Sequence, residues 1–86
     1  MSDLYKMDPT TIVMYSTTWC PDCRRVKKFL DKNKVAYIDV DIEKDNKGRE
    51  FIMKINNGNR TVPTIIFPDG DKLLEPSTQE LRAKLS

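Results

Sequence analysis

The chain has no histidine, and only two cysteines among its 86 residues. A closed tetrahedral zinc site needs four such ligands, so one chain could complete it only with carboxylates or a second copy. No run of residues approaches the roughly 20 apolar positions that a membrane span requires. Residues 1–10 mix charges around Pro9 with no apolar centre, so no secretory leader is expected there and a cytoplasmic setting is. Net charge is also nearly lacking: fifteen basic against thirteen acidic residues leave +2. No basic run is interleaved with aromatics, which removes the usual footprint of nucleic-acid binding. Internal repeats, low-complexity tracts and linkers are absent too. What remains is one short domain over residues 11–86, preceded by a loosely ordered lead-in at residues 1–10. A chain this size buries only about 60% of its unfolded surface, so modest stability is expected.

The pattern of residues predicts an α/β order. Thr11 to Ser16 is β-rich and almost continuously apolar, as a central strand covered on both faces would be. Thr17-Thr18-Trp19 turns the chain, and Pro21 suits a first helical position because its missing N–H needs no partner. From Pro21 to about Asn33, Cys23, Val26, Phe29 and Leu30 recur at helical spacing. Arg24, Arg25, Lys28 and Asp31 mostly take the other side. Ala36 to Glu43 alternates apolar with amphipathic or acidic residues, predicting an edge strand whose acids discourage pairing with a second molecule. Asp45 to about Asn56 reads as a second helix with Phe51, Ile52 and Ile55 inward; Gly48 weakens it and Asn57-Gly58 ends it. Thr64 to Phe67, the turn Pro68 to Asp71, and Lys72 to Leu74 predict a hairpin. Ser77-Thr78-Gln79-Glu80 has capping-box spacing and opens a last helix carrying Leu81 and Leu85. The order β-α-β-α-β-β-α is that of the minimal thioredoxin-type fold, a four-stranded mixed sheet flanked by three helices.

The two cysteines sit where that strand turns into that helix. Away from oxidising compartments a Cys-x-x-Cys pair is redox-active or metal-binding rather than a staple. A disulfide across so short a loop would restrain the unfolded chain little. The thiolate is the nucleophile, and a helix start favours it through unpaired N–H groups and the helix dipole. Cys20 is therefore expected to be the nucleophile. Cys23, one turn on and more enclosed, is the expected resolving thiol. Trp19 is expected to pack beside the motif and shield one side of the sulfur. Asp22 has two readings: a charge that opposes the thiolate or repels acidic partners, or an ordinary first-turn acid. Arg24 and Lys27 read as solvated helix surface, with electrostatic help to the cysteines as the other reading. Pro63 precedes an apolar strand; taken alone it reads as a trans proline at a strand start, since only about 5–6% of X–Pro bonds in folded proteins are cis.

Several segments together resemble the glutaredoxin branch of the thioredoxin superfamily, and the mycoredoxin-type members most. They are Met14 to Arg25, Val40-Asp41-Ile42-Glu43, Asn57 to Thr64, Asp69-Gly70 and Pro76-Ser77. The resemblance covers residues 11–86. It implies a thiol–disulfide oxidoreductase that reduces protein disulfides and protein–small-thiol mixed disulfides through a mixed disulfide on Cys20. It also implies that Pro63 is cis and faces the sulfur, with Val62 offering its backbone to an extended substrate. A low-molecular-weight thiol, glutathione or mycothiol or another, is the implied co-substrate. It would lie along Arg60, Thr61, Val62 and Pro63, its far end near Ser77 and Thr78.

The chain departs from the glutathione-specific pattern in three places. Leu74-Glu75-Pro76-Ser77-Thr78 stands where those relatives carry Gly-Gly-x-Asp, and Asp22 where an aromatic is usual. Thr17 stands where they have a lysine. No bound cofactor and no metal are expected. The expected partners are disulfide-containing proteins and an electron donor, either a low-molecular-weight thiol or a thioredoxin reductase, with the chain itself a monomer. The competing readings are a thioredoxin-reductase-coupled electron donor and a non-enzymatic metal or cluster carrier or adaptor.

Overall fold

The computed structural model describes residues 3–86. Chain order is β1 (Ile12–Ser16), α1 (Pro21–Lys32), β2 (Tyr37–Asp41), α2 (Asn46–Ile55), β3 (Thr64–Ile66), β4 (Lys72–Leu74) and α3 (Thr78–Leu85). The strands form one sheet in the order β2-β1-β3-β4. β1 runs parallel to β2 and antiparallel to β3, which pairs antiparallel with β4. This is the mixed sheet that the sequence predicts.

All five residues of β1 are buried, because the strand lies centrally with apolar layers on both faces. Alternate side chains of a strand point to opposite faces. Ile12 and Met14 accordingly join Val26 and Leu30 of α1, Ile65, Phe67 and Leu81 of α3 in one cluster. Val13 and Tyr15 join Val40, Ile42, Ile52 and Ile66 on the α2 side. The edge strand β2 divides the same way. Tyr37 packs against the first cluster and Ile38 against the second, while Asp39 is turned to the rim.

Gly48, read as a weakness in α2, is instead a packing requirement. A Cβ there would stand 2.8 Å from Val40 Cγ1, so only glycine lets the helix approach β2 this closely. Residues 3–10 are also held more firmly than a loose lead-in implies. Leu4 and Met7 pack on the second cluster and Pro9 is buried. The Tyr5 N–H donates to the Tyr15 hydroxyl at 3.0 Å, and the Tyr5 hydroxyl to Asp45 at 2.5 Å. That bond holds the Asp45 carboxyl below its ordinary range and pushes the Tyr5 phenol up to about 12. The apolar side chains of the segment supply the physical reason: they cover sheet surface beside α2.

Candidate active site

β1 ends at Ser16, and the turn that follows delivers Cys20 as the N-cap of α1, with φ −81° and ψ 115°. An N-cap side chain accepts a backbone N–H that the helix cannot satisfy internally. Here the acceptor is sulfur: the Cys23 N–H donates to Cys20 Sγ at 3.1 Å. Pro21 occupies the first helical position, as expected. Both cysteines are free thiols. Cys20 keeps 5% of its surface open and Cys23 none. Cys20 is thus nearly enclosed, with a small open surface that Cys23 lacks. Burial pushes the Cys23 thiol up to about 12, and its hydrogen bond to Cys20 adds to the rise.

The loop before β3 lies beside Cys20. The Val62–Pro63 bond is cis, correcting the trans strand-start reading of the spacing and agreeing with what the resemblance implies. The Val62 carbonyl lies 4.0 Å from Cys20 Sγ. The Cys20 thiol donates to that carbonyl, while among the described residues none accepts the Val62 N–H. The loop is fixed from within. Thr64 Oγ1 donates to the Thr61 carbonyl at 2.6 Å and itself accepts from Asn56 Nδ2 at 3.1 Å. On the far side the Glu75 N–H donates to the Pro63 carbonyl at 2.9 Å, with Glu75 at φ +46°. A glutamate in left-handed backbone is uncommon, and glycine would carry no strain there.

Trp19 lies in the turn after β1. Its residue surface is 61% exposed, so most of the ring faces solvent. It borders a cleft of about 460 Å³ together with Thr17, Ile42, Glu43, Arg49, Arg60 and Val62. Arg60 and Val62, both expected along the thiol, share this cleft with Trp19. Glu43 and Arg49 were not anticipated, since they come from the turn after β2 and from α2. Thr17 is buried and its hydroxyl has no hydrogen-bond partner among the described residues.

Asp22 is exposed in the first turn of α1 and pairs with Arg25 at 3.6 Å. The same guanidinium donates to the Pro76 carbonyl at 2.8 Å and to Thr78 Oγ1 at 3.2 Å, clamping α1 to the start of α3. Ser77 Oγ accepts the Glu80 N–H. Both hydroxyls near the proposed far end of the thiol are thus engaged within the protein. Each hydroxyl accepts one such bond and keeps its own O–H to donate to a ligand, beside the backbone N–H groups of the first α3 turn.

Sequence comparison agrees with this geometry. The glutaredoxin family profile matches residues 12–72. The chain belongs to the glutaredoxin family. Glutaredoxins are thiol–disulfide oxidoreductases, and this chain is therefore an enzyme of that class. A Mycobacterium tuberculosis protein named as a glutaredoxin is 46% identical over 79 residues, covering 92% of this chain and 94% of its own length. Mycoredoxin 1 of Corynebacterium glutamicum is 38% identical over 76 residues, with 88% and 94% covered. Among solved structures, the thioredoxin-like protein BC3987 superposes with a TM-score of 0.74 at 30% identity, covering 84% of this chain and 96% of that one. A glutaredoxin from Archaeoglobus fulgidus gives 0.75 at 23% identity, with 99% and 96% covered, and supports the fold alone.

Proposed function

We propose that this glutaredoxin reduces protein disulfides and mixed disulfides between proteins and a low-molecular-weight thiol, with Cys20 as nucleophile and Cys23 as resolving thiol. The carrying observation is the 3.1 Å bond from the Cys23 N–H to Cys20 Sγ, which directs a backbone donor at the outer sulfur. In the first step Cys20 thiolate attacks a substrate sulfur. A Cys20–substrate disulfide forms, the substrate's S–S bond breaks, and the departing thiolate takes up a proton. In the second step Cys23 loses its proton and attacks Cys20 Sγ. The internal disulfide forms and the second substrate thiol leaves with a proton. Val62 pairs with the extended substrate through its N–H and C=O, and Arg60 and Trp19 flank it in the cleft.

A low-molecular-weight thiol then returns the electrons. The name of the Corynebacterium relative favours mycothiol, and the buckwheat glutaredoxin–glutathione complex, at 23% identity a fold neighbour, favours glutathione as the probe to compare with it. We assign the enzyme to the cytoplasm as a monomer, because an exchangeable cysteine pair suits a reducing compartment.

The test is a paired substitution. Cys20→Ser is expected to abolish reduction of every disulfide offered. Cys23→Ser is expected to keep turnover of small-thiol mixed disulfides and to trap a Cys20 adduct detectable by mass. Normal turnover by Cys20→Ser would overturn the assignment.

A further inference from the structure

We propose that Lys27, pinned beside the cysteine motif by Asp39, supplies the positive charge that lets buried Cys23 attack the mixed disulfide on Cys20. The proposal rests on the roles given to the two cysteines above. It concerns the second step, in which a sulfur with no open surface must give up its proton.

The geometry begins with spacing. Lys27 follows Cys23 by four residues, so the two side chains lie one above the other on α1. Lys27 is half-buried along the flank facing β2, whereas Lys28 and Lys32 on the same helix are exposed. The Lys27 ammonium lies 2.8 Å from Asp39 Oδ2, and the other carboxylate oxygen, Asp39 Oδ1, accepts the Ser16 hydroxyl at 2.6 Å. Ser16 is buried at the end of β1 and immediately precedes Thr17. A carboxylate anchored on both oxygens holds the ammonium in one place, which a free surface lysine does not have.

Three groups besides burial bear on the Cys23 thiol. Cys20 hinders its ionisation by hydrogen bond and by charge, while the Thr17 backbone and the Lys27 ammonium favour it. Once Cys20 is tied up in a mixed disulfide it carries no charge, and its opposition falls away. Lys27 is then the charged group acting on the attacking sulfur. Asp39, the nearest acid, offsets part of that charge, and the pair is 27% and 35% exposed on its side chains. The effect is therefore several-fold rather than several orders of magnitude. As a mere tether of α1 to the edge strand, a pair this open contributes only about 0–1 kcal/mol.

Stopped-flow reaction of the reduced enzyme with one equivalent of an aromatic disulfide, whose released thiolate is coloured, separates the steps. Cys20 releases the first equivalent and Cys23 displaces the second. Lys27→Met is expected to lower the ratio of second to first rate constant about three- to tenfold at neutral pH. It should also move the pH profile of the second phase upward. Lys27→Arg is expected to restore most of the ratio, because the charge and reach persist. An unchanged ratio in Lys27→Met, or an equal fall in Lys27→Arg, would overturn the proposal. Two phases persisting in Cys20→Ser would instead defeat the cysteine roles, leaving the two failures distinct.

Discussion

At the start of α1 a thiol sulfur accepts a backbone N–H from three residues on, at 3.1 Å. At the start of α3 the Ser77 hydroxyl accepts the Glu80 N–H in the same way, at 3.0 Å. The device is shared and the consequences differ. Glu80 returns a bond to the Ser77 N–H at 2.9 Å, closing a reciprocal box that satisfies two orphan donors. At α1 no side chain among the described residues returns a bond to the Cys20 N–H, and Cys20 itself keeps 5% of its surface open. One helix start serves stability, while the other aims the same kind of backbone donor at the sulfur proposed as nucleophile. Arg25 connects them, reaching from α1 to Pro76 and Thr78.

Substitutions at the two caps sharpen this contrast. The largest effect is expected for Cys20→Ser, which should cut disulfide turnover roughly a thousandfold or more. Serine is itself a good N-cap, so the same variant should change unfolding free energy by less than about 0.5 kcal/mol in a denaturant titration. A large stability loss there would mean the sulfur is chiefly structural. Ser77→Ala should do the opposite at α3, costing about 1 kcal/mol. In a chain of this size that corresponds to a melting temperature lower by about 4–8 °C. Glu80→Ala leaves the Ser77 acceptor in place and should cost less, on the order of 0.5 kcal/mol by the same melt.

The two regions were also unequally legible. Around α1 the local signals agree: an unbroken apolar strand, a turn, Pro21 at the first helical position, and apolar residues at helical spacing. Around α3 the Ser77 and Glu80 spacing announced a box that the structure contains. The cis bond before Pro63 was not legible from spacing and followed only from the family resemblance. The cleft was legible in part. Arg60 and Val62 adjoin the recognisable Thr-Val-Pro segment, but Glu43 and Arg49 arrive through tertiary packing of α2. The large exposure of Trp19 was not legible, because an aromatic beside a cysteine reads as cover. Asp39 read as a solvated edge-strand acid; its partners Ser16 and Lys27 are 23 and 12 positions away, beyond any local pattern.

The central claim is that the outer sulfur is reactive and the inner one held in reserve. Alkylation of the reduced protein by iodoacetamide, mapped by mass across pH, measures this directly. Cys23, with its thiol pushed up to about 12 by burial, stays protonated at neutral pH, so its labelling should be negligible there and climb only as the medium becomes strongly alkaline. Cys20 should be labelled first at neutral pH. Equal labelling of both cysteines at neutral pH, or earlier labelling of Cys23, would contradict the account.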